Sequence, residues 1–341
     1  MATILNTQSI YYNDCNLIAQ RGSVISRANI PRELNRIIVS PMMAVVGEKF
    51  AKESARLGLT VCLHRFGSRE SQREIYEAID HDYGNKYNTQ NIYCSVGMDD
   101  IDRVRYLTAF SSPDKWCLDI ANGYLPQIKE KLQVLFKDIS VKSLIIGNIH
   151  TLDGFYYLSE ICKDLGIPEV IVRTGIAGGA PCSTSDVVGV NRGNITEIME
   201  CYEGFKNYSH NSFKPYICAD GGIKKSSYAC KAFAAGGSYT MMGGYFMNAI
   251  EAESNLNGDG SYWGGASHKQ QILTSGKITR HSEGKEIKED RKLVPLKDLV
   301  DDLWWGISSY ISYSGYSTLS EAIGKGVFEI KANSLPPKNR I

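Results

Sequence analysis

One stretch of the chain, residues 170–184 with the sequence VIVRTGIAGGAPCST, decides how the rest of the sequence is interpreted. Its apolar, β-branched start predicts a strand, and the glycines that follow predict a loop whose backbone can approach a ligand closely. The loop presents the thiol of Cys182, with the hydroxyl of Thr184 two residues later. A thiol in such a loop is a candidate nucleophile, and the alternative is a buried structural cysteine.

Strand-and-loop units of this kind recur along the chain. Eight apolar runs read as strands buried on both faces, at residues 37–43, 60–65, 92–97, 116–121, 143–149, 170–175, 216–221 and 239–244. Helical spacing of apolar residues is found at 50–57, 71–81, 125–136, 158–165, 195–207 and 226–235. These units predict an α/β fold, a (β/α)8 TIM barrel with its active site at the C-terminal strand ends. The alternative is a doubly wound open sheet, but no GxGxxG follows the first strand.

Composition excludes several classes of function. The 341 residues are 43% hydrophobic and 22% charged, with a formal net charge of +1, which gives no basic field for nucleic acid. The sequence has no membrane-spanning apolar run and no signal peptide. Its nine cysteines are scattered without CxxC spacing, which indicates reduced thiols and no zinc site. We therefore expect a cytoplasmic enzyme that forms a single catalytic domain over residues 1–341.

Chemistry-bearing residues collect where the predicted strands end. Asp119 ends the fourth strand and Asp220 ends the seventh, each able to accept hydrogen bonds from a ribose or an amide, or to cap a turn. Glycine pairs follow the seventh and eighth strands at Gly221-Gly222 and Gly243-Gly244. Each pair alone is ordinary turn chemistry, but both together at these two strands predict a phosphate site.

The segment after the eighth strand is predicted to lose regularity and to form a long mobile loop. It is rich in glycine and polar residues at 255–261 and dense in charge from Lys269 to Lys292. A loop of this length is typical of a lid or a disordered excursion, and Glu283 within it is a candidate acid/base group. His64 and His281 are further candidates for proton transfer, with a non-catalytic histidine as the alternative for each.

These segments together resemble the inosine-monophosphate (IMP) dehydrogenase and guanosine-monophosphate (GMP) reductase family over nearly the whole chain. The resemblance rests on the segments 43–47, 119–124, 147–148, the cysteine loop, 220–222 and 242–244. The late motif Ser282-Glu283-Gly284-Lys285, the Met199-Glu200-Cys201 run and the segment after Asp119 are similar to the reductase branch. No regulatory insert fits between the second and third strands, which also favours that branch.

The resemblance implies a role for each site residue. Cys182 becomes the nucleophile for purine C2, while Thr184 and Glu283 activate the thiol and handle the departing ammonia. The implied substrate contacts are Met43, Asp220, Gly222, Gly243, Gly244, Arg280 and Ser282. The implied contacts of the cofactor NADPH are Asp119, Ala121, Asn122 and Gly123. A potassium ion is implied at the backbone carbonyls of Ala177, Gly179 and Cys182. The family also implies a homotetramer that binds a purine nucleoside monophosphate.

The sequence departs from the family at several ligand-reading positions. The phosphate-binding serine two residues before the cysteine is Ala180, and the aspartate expected after Met43 is Ala44. The segment that touches the base reads Gly264-Gly265-Ala266. Three alternatives therefore stay open: a reductase acting on a modified or deoxy purine nucleotide, an NAD-dependent IMP dehydrogenase, and a non-catalytic nucleotide-binding barrel. The joint presence of the three catalytic candidates speaks against the last.

Overall fold

A computed structural model describes residues 8–22, 26–83, 91–208, 213–278 and 281–331 of the chain. Its centre is a closed barrel of eight parallel strands, each bonded to the next in chain order, with the last closing on the first. The barrel strands are β2 (Ile37–Val39), β3 (Thr60–Leu63), β4 (Ile92–Val96), β5 (Lys115–Leu118), β6 (Ser143–Ile149), β7 (Glu169–Thr174), β8 (Pro215–Asp220) and β9 (Tyr239–Met242). All eight predicted strands and the predicted (β/α)8 fold are confirmed.

The barrel closes because its strands are apolar on both faces. One side chain from each strand points inward and forms a separate buried cluster: Ile38, Cys62, Tyr93, Cys117, Ile145, Ile171, Cys218 and Met241. Neighbouring residues such as Ile37 and Val39 point outward and join the larger core beneath the helices. This alternation explains why the sequence shows continuous apolar runs instead of an apolar–polar pattern.

Twelve α-helices occur in the described residues. They are α1 (Glu48–Leu57), α2 (Arg69–Tyr83), α3 (Ile101–Ser111), α4 (Ile128–Leu135), α5 (Leu152–Asp164), α6 (Thr184–Val188), α7 (Asn194–Tyr208), α8 (Ser226–Ala235), α9 (Glu253–Leu256), α10 (His268–Ser275), α11 (Leu296–Tyr313) and α12 (Leu319–Ala322). The six predicted helical patterns are confirmed, with shifted ends. Helix α3 was missed because it buries only Val104 and Leu107, too few positions to show a period.

The segment after the eighth barrel strand is more regular than predicted. Strand β10 (Ser261–Trp263) pairs antiparallel with β11 (Glu286–Lys288), and α10 lies between them in the chain. Trp263 donates from its indole nitrogen to Gln270 Oε1 at 3.0 Å, and Lys269 Nζ lies 4.4 Å from the Trp263 ring centroid. The expectation of an irregular loop was wrong because these strands are short and their partners are distant in sequence.

A two-stranded sheet and helix α11 lie outside the barrel. Strand β1 (Cys15–Leu17) pairs antiparallel with β12 (Phe328–Ile330) and so joins the two ends of the described chain. Trp304 is buried on α11, whereas Trp305 is exposed and packs under the guanidinium of Arg27. Within the described ranges, no helix is long and apolar enough to cross a membrane.

Candidate active site

The cysteine loop runs from the end of β7 to the start of α6 and packs against the loop after β8. A Cβ atom at Gly175 would lie 2.0 Å from the carbonyl oxygen of Asp220, and one at Gly221 would lie 2.8 Å from the carbonyl carbon of Gly178. Both glycines also have positive φ angles, 110° and 91°. Only glycine permits this close approach, so the glycines fix the place of the thiol.

The three predicted catalytic side chains meet in one hydrogen-bonded chain. The Cys182 thiol donates to Thr184 Oγ1 across 3.1 Å, and the Thr184 hydroxyl donates to Glu283 Oε2 across 2.8 Å. We call this arrangement the catalytic relay. Because threonine accepts from the thiol and donates to the carboxylate, a proton can pass from sulfur to Glu283 in two short transfers.

Backbone contacts bring Glu283 to the cysteine across 99 residues of sequence. The N–H of Ser183 donates to the carbonyl of Glu283 at 2.9 Å, and the N–H of Lys285 donates to the carbonyl of Pro181 at 2.6 Å. Cys182 and Gly284 form an isolated antiparallel β-bridge. The relay therefore depends on main-chain pairing between the cysteine loop and the late segment (residues 255–292).

Cys182 differs in exposure from every other cysteine. All nine cysteines are free thiols; eight of them are buried, and Cys182 alone is partly exposed. Burial raises the pKa of Cys162 and of Cys230 to about 12. Thiols that stay protonated and out of reach of solvent are chemically inert, which leaves Cys182 as the accessible nucleophile.

A buried arginine links the two strand-end aspartates. Arg173 on β7 donates to Asp220 Oδ2 from Nη2 at 2.8 Å and from Nε at 3.1 Å, and its Nη1 lies 3.6 Å from Asp119 Oδ1. Although burial opposes the charge, Asp220, Cys117 and Asp119 together raise the pKa of Arg173. Asn148 Nδ2 also donates to Asp220 Oδ2, at 2.9 Å. Sequence reasoning missed Arg173, although a cation inside an apolar strand was a signal.

The predicted phosphate glycines line one small cavity of about 120 Å³, which we call the glycine cavity. Its lining comprises Ser40, Met42, Gly179, Ala180, Pro181, Asp220, Gly221, Gly222, Ile223, Lys224, Met241, Met242, Gly243, Gly244 and Tyr262. A Cβ atom at Gly243 would lie 2.6 Å from Met42 Sδ and 3.2 Å from the hydroxyl of Tyr262. The glycines thus keep this space open for a ligand.

Tyr262 is a second residue that sequence reasoning missed. It is buried on β10 with its ring against Gly244. Burial, together with the carboxylate of Asp220, raises the pKa of Tyr262, so its hydroxyl stays protonated at neutral pH and can donate a hydrogen bond. A tyrosine within a glycine-rich segment was visible in the sequence, but nothing there placed it beside the glycine pair.

The predicted cofactor residues form a tight turn after β5. The side-chain oxygen of Asn122 accepts from the N–H of Tyr124 at 2.9 Å, and the N–H of Gly123 donates to the carbonyl of Asn148 at 2.9 Å. Ala121 and Asn122 are exposed at the mouth of the barrel. Asp119 lies below them, where its Oδ2 is 3.4 Å from Arg65 Nε. Contact of this turn with a cofactor stays a prediction.

The predicted base-contacting residues are less closely grouped. Met43 Sδ accepts from Gln270 Nε2 at 3.5 Å and lines a neighbouring cavity of about 670 Å³ with His64. Ser282 uses its hydroxyl within the loop, donating to the carbonyl of Ala266 at 3.0 Å and accepting from the N–H of Gly284 at 3.1 Å. Arg280 lies outside the described residues.

The two candidate histidines lie apart from the relay. Burial, with a smaller effect from Arg103, lowers the pKa of His64 to about 4, so this ring is neutral at physiological pH. His281 is exposed. Neither histidine shares a hydrogen bond with Cys182, Thr184 or Glu283 in the part of the chain that the structure describes.

Few groups are arranged to bind a metal ion. Among the described residues, no cluster of three histidine, cysteine or acidic side chains is placed to hold one. Of the three carbonyls expected to bind a monovalent cation, that of Gly179 already accepts from the N–H of Cys182 at 3.0 Å. Ala177 has a positive φ of 64°, an uncommon conformation for a residue other than glycine. Potassium binding at Ala177, Gly179 and Cys182 stays a prediction.

Comparisons with known proteins find similarity to one family over nearly the whole chain. The profile described as IMP dehydrogenase / GMP reductase domain matches residues 11–334. A GMP reductase of Vibrio atlanticus (strain LGP32) is 25% identical over 306 residues, which cover 86% of this chain and 82% of the relative. A GMP reductase of Buchnera aphidicola subsp. Acyrthosiphon pisum (strain Tuc7) is 25% identical over 307 residues, covering 85% and 82%. GMP reductase 1 of Mus musculus is 27% identical over 245 residues, covering 68% and 66%.

Proposed function

Because the chain belongs to the IMP dehydrogenase / GMP reductase family and is an oxidoreductase, we propose that it catalyses the NADPH-dependent reductive deamination of GMP, or of a closely related purine nucleoside monophosphate, to IMP. The catalytic relay is the observation that carries this proposal. A reductase must both form a bond to purine C2 and protonate a leaving amine, and the relay provides a thiol with a path for that proton.

The deamination step follows from the direction in which the hydrogen bonds of the relay donate, from Cys182 through Thr184 to Glu283. As Cys182 sulfur bonds to C2 of the purine, its proton passes through the Thr184 hydroxyl to Glu283. The same carboxyl group, through Thr184, then returns the proton to the 2-amino group, and the carbon–nitrogen bond breaks to release ammonia. Sulfur remains covalently bound to C2, and no net oxidation has occurred.

The reduction step resolves this adduct. NADPH supplies a hydride to C2 when it is bound near Asp119, Ala121, Asn122 and Gly123. The carbon–sulfur bond breaks as the new carbon–hydrogen bond forms, so IMP leaves and Cys182 returns as a thiolate. A proton taken up from solvent then passes through Glu283 and Thr184 to that sulfur and completes the cycle. A nicotinamide cofactor is implied by the family, and the choice of NADPH is part of this proposal.

The remaining site residues hold the nucleotide in the proposed complex. Asp220 accepts hydrogen bonds from the ribose hydroxyls while Arg173 and Asn148 fix its orientation. The backbone of Gly222, Gly243 and Gly244 binds the phosphate, and the Tyr262 hydroxyl donates to it. Met43 and Ser282 face the base region, and the family resemblance implies a base contact for Arg280, which lies outside the described residues. A homotetramer and activation by potassium complete the proposal.

A second candidate is the same reaction on a purine monophosphate with a different base or a 2′-deoxy sugar. It is favoured by Ser282, whose hydroxyl is bonded to backbone atoms of Ala266 and Gly284 and so is occupied without a ligand. The changes to Ala44, Gly265 and Ala266 remove further polar groups from the predicted base region. A lost neutral hydrogen bond costs about 0.5–1.5 kcal/mol, enough to change the preferred base.

A panel of purine monophosphates with NADPH tests the proposal and separates the candidates. We expect loss of the reduced-nicotinamide absorbance with GMP or with one close analogue, together with release of ammonia. The panel should include deoxy-GMP and monophosphates substituted at C2 or C6. Reduction of NAD by IMP, with no oxidation of NADPH by any member of the panel, would instead assign the dehydrogenase direction.

A further inference from the structure

One lysine, Lys224, lines the glycine cavity. It is the only lysine, arginine or histidine among the described lining residues, and Asp220 is the only carboxylate. The carboxylate of Asp220 is already paired with Arg173. The ammonium of Lys224 is exposed, and no hydrogen bond or ion pair joins it to any residue that the structure describes. A free positive charge therefore stands at the edge of a cavity that is built from glycine backbone.

The position of Lys224 in the fold makes this charge unfavourable without an anion. It directly precedes Lys225 and the start of α8, a helix of ten residues whose first turn contains no acidic residue and whose N-terminus has no side-chain cap. The N-terminal end of a helix carries partial positive charge, so two lysines there repel it. By contrast, α1, α5 and α11 begin with Glu48, Asp153 and Asp298 in their first turns.

Ala180 brings no polar side-chain atom to the glycine cavity. Ala180 lines the same space as Lys224, at the position where the family resemblance implies a serine that donates to phosphate. An alanine in place of the serine and a lysine with an unpaired, exposed ammonium therefore line the same cavity. A lysine can replace a serine as a phosphate ligand, but it acts as a point charge with a longer reach.

We propose that Lys224 binds the phosphate of the nucleotide and supplies the contact that Ala180 lacks. The inference rests on the proposed function for the identity of the ligand as a purine nucleoside monophosphate. Its consequence is that recognition of the phosphate depends on charge. Binding then favours the doubly ionised phosphate and weakens with added salt more steeply than it would with a serine donor.

The test is calorimetric binding without turnover to the wild type, Lys224→Gln and Lys225→Gln, using GMP, guanosine and inorganic phosphate as probes. Hydrogen bonds to charged groups are worth more than neutral ones, so we expect Lys224→Gln to weaken GMP binding on the order of 10-fold. Guanosine, which has no phosphate, should bind equally well to both proteins. The salt dependence of GMP binding should become shallower in Lys224→Gln.

Lys225→Gln is the matched control. The Nζ of Lys225 lies 5.8 Å from the ring centroid of Tyr228, and Lys225 does not line the glycine cavity. We expect GMP binding to this variant within twofold of the wild type. Adding Ala180→Ser to Lys224→Gln should restore part of the lost affinity with a shallow salt dependence, because the serine supplies a neutral donor.

Two results overturn the proposal: GMP affinity of Lys224→Gln within twofold of the wild type, or an equal loss of GMP and guanosine binding. If the wild type binds no purine monophosphate, the proposed function fails, and inorganic phosphate then decides the role of Lys224. Phosphate binding that is lost in Lys224→Gln and kept in Lys225→Gln supports the inference. Phosphate binding that is absent from the wild type, or equal in all three proteins, contradicts it.

Discussion

At the scale of single residues, the catalytic relay depends on the order in which its three groups donate and accept hydrogen bonds. Among the described residues, the Thr184 side chain links the thiol of Cys182 to the carboxylate of Glu283, since it accepts from one and donates to the other. Removal of either the hydroxyl or the carboxylate interrupts the same proton path. Residues that act as one unit give effects that do not add.

We therefore predict that Thr184→Val and Glu283→Gln each lower kcat by roughly 10²–10⁴, the range for positioned acid/base groups. The double variant should be little slower than the slower single variant. Steady-state kinetics of the four proteins, with nucleotide binding measured in parallel, checks this. Losses that multiply in the double variant would show that the two side chains act independently, and a variant within a few-fold of the wild type would exclude its residue from the relay.

Sequence reasoning could predict candidate residues whose neighbouring sequence is itself distinctive. Cys182 and Thr184 stand together in a glycine loop, and Glu283 lies in a motif that resembles one branch of a family. Arg173 and Tyr262 were missed because their roles depend on which strands meet: Arg173 on β7 reaches Asp220 on the neighbouring strand β8, and Tyr262 reaches Gly243 from another sheet. Single-sequence patterns contain no information about such long-range contacts.

At the scale of elements, continuous apolar runs were sufficient to predict the eight barrel strands, whereas short strands outside the barrel were not predictable. A barrel strand is buried on both faces, so its sequence alone is distinctive. In β11, Glu286 and Lys288 are exposed and only Ile287 is partly buried, which leaves no period to detect. The late segment is nevertheless what delivers Glu283 to the relay, and its pairing with the cysteine loop is a testable structural feature.

Gly284 forms a β-bridge with Cys182 in the cysteine loop and a second one with Ser267 within the late segment. A Cβ atom there would lie 2.8 Å from the backbone nitrogen of Ser267, so Gly284→Ala must displace the segment that holds Glu283. We predict that kcat falls by roughly 10-fold or more, as expected when a catalytic group is misplaced. The melting temperature should change little because the barrel core is untouched.

Leu273→Ala, on the exposed face of α10, provides the control for this variant, and its kcat should match the wild type. Steady-state kinetics and thermal unfolding of Gly284→Ala and Leu273→Ala measure the expected changes in kcat and melting temperature. Wild-type kcat in Gly284→Ala would mean that the position of the late segment does not set the position of Glu283.

At the scale of the whole molecule, a net charge of +1 leaves ligand recognition to local groups, and these groups meet beneath the cysteine loop. His150 Nε2 contacts the carbonyl of Ile176 in that loop at 2.9 Å. The buried carboxyl group of Glu197 places its Oε2 3.8 Å from the same His150 nitrogen. Burial raises the pKa of Glu197 well above its usual value, and Asp220 and Glu200 add to this effect against the opposing influence of Arg192. We therefore expect the carboxyl group of Glu197 to ionise at a higher pH in the folded protein than in the unfolded chain.

This buried acid predicts a pH dependence of stability. The carboxyl ionises in the unfolded chain above about pH 4.3, whereas its raised pKa delays ionisation in the folded one, so its contribution to stability falls as pH rises. Glu197→Gln mimics the protonated form. We predict similar unfolding free energies for variant and wild type near pH 5 and a growing advantage for the variant toward pH 8, by up to about 1.4 kcal/mol per pH unit.

Chemical denaturation at three pH values measures the difference, with Glu203→Gln on the exposed face of α7 as the control. Glu203→Gln should run parallel to the wild type across the range. Parallel curves for Glu197→Gln would show that Glu197 is ionised in the folded protein.

The central claim is that Cys182 forms a covalent bond to the purine, and GMP-dependent oxidation of NADPH by Cys182→Ala tests it most directly. The proposed phosphate and ribose contacts are the glycine cavity and Asp220, away from the thiol, so the variant should still bind nucleotide with nearly wild-type affinity. We predict no NADPH oxidation above background by Cys182→Ala, with GMP or with whichever purine monophosphate the wild type prefers. Retained turnover in a variant that binds nucleotide normally would contradict the covalent mechanism.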